Sequence, residues 1–280
     1  MNAIDNTETM RVVIEETPLD FEIAGNTFTG AENVMLQEDT DLLLGKDYHE
    51  KGYTLFDLLS DDEFATLEQG FTRIIAGFLK EGGHPVPDNF NLLHYHTFVN
   101  DAAHAQVVKC IQQGLPIGTM PLGVIFLDEK ISELLGFPVT SANPTLKHQT
   151  YSIRVVRPNR LTDNNPPHRD VWLDHLRNAV NIYLPVCGSD KNSALPILPG
   201  SHLWKESEIV RTREGAVING VKYTVPCVVG SSFGLNMVRP NPALKQATLF
   251  SPYLIHGGGY NLNTDTTRVS LEMRFWKKND

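Results

Sequence analysis

Cysteine is scarce in this chain of 280 residues: Cys110, Cys187 and Cys227 are odd in number, far apart and in no Cys-x-x-Cys pair. Neither a disulfide framework nor a thiolate zinc site is indicated, and the three read as reduced, buried thiols. Positive charge is also short. With 24 Lys and Arg against 33 Asp and Glu, the formal net charge is −9, which argues against a phosphate-backbone partner but leaves room for a locally positive pocket. No apolar run approaches the ~20 residues of a membrane span, and Met1-Asn-Ala-Ile-Asp-Asn-Thr-Glu8 has neither the basic nor the apolar region of a secretory leader. The expectation is a cytoplasmic protein with no nucleic-acid and no membrane partner. Internal repeats, low-complexity tracts and sharp composition breaks are missing too, so residues 1–280 are expected to form a single domain, and 41% hydrophobic residues suffice for a substantial core.

Alternating apolar residues at Val12, Ile14, Phe21 and Ile23 suit an edge strand or an arm. Ser60-Asp-Asp-Glu63 reads as a capping box, and Phe64, Leu67, Phe71, Ile74, Ile75, Phe78 and Leu79 follow at helical spacing until Gly82-Gly83. Further helices are expected from Asn100-Asp101 to Gln113-Gly114 and from Leu122 to Leu135. From His148 onward the texture changes to short β-rich runs: 149–156, 179–186, 195–198, 222–229, 247–250 and 267–276. Such spacing argues for a sandwich or barrel with helices outside it. The expected fold is mainly β with α, a double-stranded β-helix (jelly roll) carrying an α-helical N-terminal layer, helical over about 1–147 and jelly-roll over about 148–280.

His168 and Asp170 lie two apart in Asn165-Pro-Pro-His-Arg-Asp-Val-Trp172, so on extended backbone both reach one cation while Arg169 points away. A second histidine would complete the two-His-one-carboxylate set of non-haem iron; by itself, His-x-Asp equally suits a hydrogen-bonded turn after two prolines. His256, in Tyr253-Leu-Ile-His-Gly-Gly-Gly259, is a strand-end histidine before a glycine loop that permits close backbone approach. His94-x-His96 lacks a nearby carboxylate and reads as surface or pocket lining. The stretch 268–276 alternates cleanly, with Val269, Leu271, Met273 and Phe275 on one face and Arg268, Ser270, Glu272 and Arg274 on the other. Beside a metal, Arg268 and Ser270 suit a carboxylate, the guanidinium forking to it and the hydroxyl adding a bond.

In this order and spacing, His168-x-Asp170, His256 and Arg268-x-Ser270 resemble the Fe(II)/2-oxoglutarate-dependent dioxygenases, and the surrounding text resembles their phytanoyl-CoA dioxygenase-like branch. Trp172 shortly after His-x-Asp, Leu195-Pro-Ile-Leu-Pro-Gly-Ser-His202 and the His-Gly element at 256 carry that likeness, which covers roughly 147–276. The resemblance implies an oxidoreductase with His168, Asp170 and His256 as metal ligands, Fe(II) as cofactor and 2-oxoglutarate as cosubstrate. Arg268, Ser270, Gln149 and Trp172 would lie around the cosubstrate, and His202 would be structural. A small-molecule substrate and dioxygen would be consumed in a hydroxylation that releases succinate and CO2. Two features depart from or refine the pattern: Asn164-Asn-Pro-Pro167 replaces the usual apolar lead-in, and Asp170 is the carboxylate that related halogenases lack. A non-catalytic jelly-roll binding or sensing protein and a cupin-type metal isomerase remain alternatives.

Arg154, Arg157, Arg160, Arg169 and Arg177 crowd the metal motif; an anionic substrate is expected if two or more face the pocket. On the strand entering the motif, Arg154 and Val156 share one face and Gln149, Tyr151, Ile153 and Val155 the other. The family likeness favours the Gln149 face as cavity lining, leaving anion recognition to Arg157, Arg160 and Arg177 at the rim.

Overall fold

The computed structural model describes residues 7–114, 119–149 and 151–278. The chain starts with a hairpin of β1 (Thr7–Ile14) and β2 (Thr17–Ala24). Its turn is made by Glu15 and Glu16, both at positive φ, the backbone that two-residue hairpins require and that Asn-Gly normally supplies. Met10, Val12, Ile14, Phe21 and Ile23 point inward, so the alternation read as an edge strand or arm belongs to two paired strands. Two short strands follow, β3 (Thr27–Thr29) and β4 (Tyr53–Asp57).

Helix α1 (Asp61–Glu81) begins at the expected capping box: the Glu63 amide donates to Ser60 Oγ and the Ser60 amide to the Glu63 carboxylate. A single turn, α2 (Tyr95–Phe98), then α3 (Asp101–Gln112) and α4 (Val124–Leu135) are the other α-helices among the described residues. Helix α4 stops at Gly136, whose φ of 83° fits the left-handed cap. None of the described helices is long and apolar enough to cross a membrane.

The remaining strands are β5 (Val139–Thr140), β6 (Tyr151–Val156), β7 (Ala179–Cys187), β8 (Ile209–Thr212), β9 (Ala216–Ile218), β10 (Val221–Tyr223), β11 (Val228–Ser231), β12 (Asn236–Met237), β13 (Gln246–Phe250) and β14 (Arg268–Lys277). They form a large sheet ordered β4-β13-β7-β14-β5, with β6 also paired to β14, and two smaller sheets, β10-β9-β2-β1-β12 and β11-β8-β3. The run 222–229 is therefore two strands of different sheets, and 195–198 contributes only bridges through Ile197.

One face of the large sheet carries Ile153, Val155, Val180, Ile182, Leu184, Val269, Leu271, Met273 and Phe275, packed on the apolar sides of α1, α3 and α4. The smaller sheets enclose a second core around Met10, Phe21, Ile209, Val228 and Ile255. This is the expected mainly-β architecture with helices on the outer face of one layer, but the part expected to be helical, about 1–147, is helical only between Asp61 and Leu135, because its first stretch supplies β1 to β4, which pair with strands from the second half. The opposite face of the large sheet is left to carry polar groups, and it looks toward the segments holding His168 and His256.

Candidate metal centre

His168 and His256 occupy facing positions of an antiparallel bridge. Each backbone amide donates to the other's carbonyl, at 2.9 and 3.0 Å, and their rings lie 4.4 Å apart. Arg169 is extended, at φ −107° and ψ 133°, so Asp170 returns to the His168 side, as period-two geometry demands. Asp170 Oδ1 stands 3.3 Å from His168 Nε2 and 3.6 Å from His256 Nε2. The three ligand atoms fall within 4.8 Å of one another, and all three residues are buried. Metal bonds of about 2.1 Å at right angles place neighbouring donors about 3 Å apart, close to this spacing.

The tautomers are fixed from behind. His168 Nδ1 is 2.7 Å from the carbonyl of Pro166, and His256 Nδ1 is 2.9 Å from that of Leu254. A carbonyl only accepts, so each Nδ1 carries the hydrogen and each Nε2 lone pair is directed at the common point. Burial, reinforced by the neighbouring His168, pushes His256 down to about 4, so its ring is neutral at physiological pH, as a ligand must be. Asp170 Oδ2 receives Arg274 Nε and Nη2, both at 2.7 Å, and Asn181 Nδ2 at 2.9 Å. Burial would raise this carboxyl, but the Arg274 guanidinium against Oδ2 outweighs it and holds it well below the usual carboxylate range. With Oδ2 committed, only Oδ1 is free to bind a cation.

The glycines after His256 are required by packing. Gly257 and Gly258 have φ of 91° and 81°, and a Cβ on Gly258 would meet the Pro167 ring. The amides of Gly257 and Gly258 donate to the carbonyls of Pro196 and Asn165, tying the second ligand strand to the residues around the first.

The polar face of β14 forms one wall of a cavity of about 130 Å³ that also contains the triad. Arg268 is almost fully buried; its Nη1 donates to the Ser193 carbonyl at 2.9 Å and its Nη2 to Asn164 Oδ1 at 3.4 Å. Among the described residues no carboxylate pairs with it, and Arg268 Nε and the buried Ser270 Oγ have no hydrogen-bond partner. A buried guanidinium without a counter-charge is costly, so these groups suit the carboxylate of a small ligand. Arg274 is spent on Asp170.

The other residues singled out from the sequence are placed elsewhere. Gln149 is bridged to Ala142 and does not line the cavity. Tyr151 donates to Ser141 Oγ, while Ile153 and Val155 sit in the helical core. The expected cavity face is thus reversed: β6 pairs with β14 so that Ser270 stands opposite Arg154, and it is Arg154 that reaches the cavity. Trp172 packs on the second core, its Nε1 donating to Glu206 at 3.1 Å. Arg169 is buried against Glu206 and the Ser201 carbonyl. Arg157 is held by Asp163 and Asp101 and Arg177 by Asp174, while Arg160 is exposed and only 3.9 Å from Asp101; none of the three expected rim arginines lines the cavity. His202 lies outside the triad, its ring donating to the His49 carbonyl at 2.8 Å, and His96 rests on Thr267. Cys187 and Cys227 are buried and Cys110 half-buried, all three free thiols.

Asn181 and Arg274 as holders of Asp170 were missed, as was Glu272 in the cavity wall. Strand parity was the available signal: Asn181 shares a face of β7 with Tyr183, and it stands opposite Arg274 in the β7–β14 register.

No family model and no curated relative matches the chain. Among solved structures, the chain aligns with EctD from S. alaskensis, crystallised with 2-oxoglutarate and 5-hydroxyectoine, at 16% identity over 92% of this chain and 84% of that one, with a TM-score of 0.47. It also aligns with AviO1 from Streptomyces viridochromogenes Tue57 at 16% identity over 87% and 96% of the two chains, TM-score 0.44. A third is the non-heme alpha ketoglutarate dependent epimerase SnoN from nogalamycin biosynthesis, at 14% identity over 82% and 79%, TM-score 0.40.

Proposed function

We propose that the protein is an Fe(II)- and 2-oxoglutarate-dependent oxygenase that hydroxylates a C–H bond of a small molecule, with release of succinate and CO2. The observation that carries this reading is the conjunction, in one cavity, of a buried His168, Asp170, His256 set with a buried Arg268 that has no carboxylate partner among the described residues. Two neutral imidazoles and one carboxylate oxygen are the donor set suited to non-haem iron with open positions. When bound, iron and 2-oxoglutarate supply the oxidative chemistry that side chains alone lack.

The chain's own contributions follow from the geometry. Pro166 and Leu254 carbonyls keep the protons of His168 and His256 on Nδ1, away from the metal position. Arg274 and Asn181 hold Asp170 ionised and restrict it to one donor oxygen, leaving more of the coordination sphere for ligands. Arg268, with Ser270 beside it, would anchor the far carboxylate of 2-oxoglutarate and so orient its keto acid end toward the histidines. Leu195, Phe250 and Leu176 close the cavity with apolar surface, which limits water near the reacting groups.

Anaerobic titration of the protein with Fe(II) and 2-oxoglutarate tests this directly. The expected result is the weak visible charge-transfer band of the chelate, followed by succinate release on admitting oxygen. Iron binding without a 2-oxoglutarate-dependent band would instead favour a metal-binding protein that does not turn over.

A further inference from the structure

Glu272 sits at the middle of the polar face of β14, and three guanidinium groups surround it in the cavity wall, those of Arg154, Arg268 and Arg274. Among the described residues only Arg154 pairs with it directly, through Nε and Nη2, both at 3.4 Å. Charge-assisted N–H···O contacts are normally about 2.7–2.9 Å, and Arg274 on Asp170 and Arg157 on Asp163 fall in that range. The Arg154–Glu272 pair is thus loosely made. Its two side chains are also unequally covered, 28% exposed for Arg154 and 15% for Glu272, so the cation is the more accessible partner.

Arg154 stands at a junction. It lines the metal cavity and also an adjoining outer groove of about 340 Å³, and Asn164, Asn165 and Val225 are common to both. In the proposed function 2-oxoglutarate occupies the part of the inner cavity between the triad and Arg268, which leaves the Arg154 side to the substrate. Most of a substrate molecule would lie in the outer groove, along Val108, Ile111, Tyr223 and Val225.

Charge decides what crosses that junction. Three guanidinium groups face two carboxylates, Asp170 and Glu272. A divalent cation and a dianionic cosubstrate cancel one another, so the loaded wall keeps one positive charge in excess, and the loosely paired Arg154 is the group free to present it to an anion.

We propose that Arg154 selects the substrate: the site takes a small molecule bearing one carboxylate, which lies against the Arg154 guanidinium with the oxidised carbon on the metal side and the rest of the molecule in the outer groove. This assignment rests on the oxygenase reading of the cavity. Glu272 keeps the guanidinium in place without saturating it, and an arriving carboxylate displaces that loose contact.

The test uses binding to the metal-free protein in saturating 2-oxoglutarate, which fills the Arg268 anchor and leaves Arg154 to the probe, so it does not depend on turnover. Hexanoate, 4-phenylbutyrate and N-acetyl-leucinate, each beside its neutral amide, are titrated calorimetrically into wild type, Arg154→Gln, Arg154→Gln/Glu272→Gln and Arg268→Ala. The double variant guards against misfolding from a carboxylate left unpaired. At least one carboxylate is expected to bind wild type roughly tenfold better than its amide, with the preference lost in both Arg154 variants and kept in Arg268→Ala. The proposal is overturned if the preference survives without Arg154, if it disappears only with Arg268, or if no carboxylate binds wild type. Failure of the Fe(II) and 2-oxoglutarate chelate band would sink the oxygenase reading while leaving these affinities interpretable.

Discussion

At the scale of single residues, the three candidate donors differ in what stands behind them. His168 and His256 lean on backbone carbonyls, whereas Asp170 is one half of a buried ion pair with Arg274. His168→Ala and His256→Ala should therefore abolish Fe(II) binding with modest loss of stability. Asp170→Ala should abolish it too, but also leave Arg274 without its counter-charge, at about 3–5 kcal/mol; urea denaturation of the metal-free proteins would show the ordering, and equal midpoints for all three would contradict it. Arg268→Ala should raise the 2-oxoglutarate concentration for half-saturation roughly ten- to a hundredfold while iron affinity stays unchanged, measured by the chelate band. Strand parity made legible only that His168 and Asp170 share one side and that Arg268 lies with Ser270 on one face of β14; joining them with His256 as one candidate site came from the order and spacing of the motifs they resemble, and the fold brings them to one cavity. Arg154 was misassigned for a physical reason: parity tells which residues share a face, but only the pairing of β6 with β14 tells which face meets the cavity.

At the scale of elements, helix α1 contains two glycines in opposite circumstances. A Cβ on Gly77 would meet nothing within 4 Å, whereas one on Gly70 would run into the Pro121 ring. Gly77→Ala is expected to stabilise by about 0.5–1 kcal/mol through helix propensity. Gly70→Ala should destabilise despite the same propensity gain, because that ring must move; thermal melts of the two variants would shift in opposite directions. Helices α1, α3 and α4 were legible from caps and 3.6-residue periodicity. The β1–β2 hairpin was not, because Glu15-Glu16 adopts a turn backbone for which its side chains give no signal, and β4 was not, because its five residues are stabilised by pairing with β13, a partner far along the chain.

At the scale of the whole molecule, acid stability should be set in part by two buried imidazoles. Burial pushes both His202 and His256 down to about 4, against about 6.5 in an unfolded chain. Between those values the unfolded chain binds protons that the folded chain refuses, so stability rises with pH from about 4 to about 6.5, by up to roughly 3 kcal/mol per histidine. His202→Gln should flatten that slope in metal-free protein, and an unaltered slope would locate the titration elsewhere. The bridge between His168 and His256 has one more consequence. These residues are 88 positions apart, and an ion held by both would act as a removable cross-link, clamping a long loop shut without a covalent bond. Because it binds the folded chain alone, a hundredfold excess over its dissociation constant adds about 2.7 kcal/mol. Protease resistance and melting temperature should then climb with added Fe(II) and stay flat in His256→Ala, so that the lifetime of the chain in a cell would track the supply of iron.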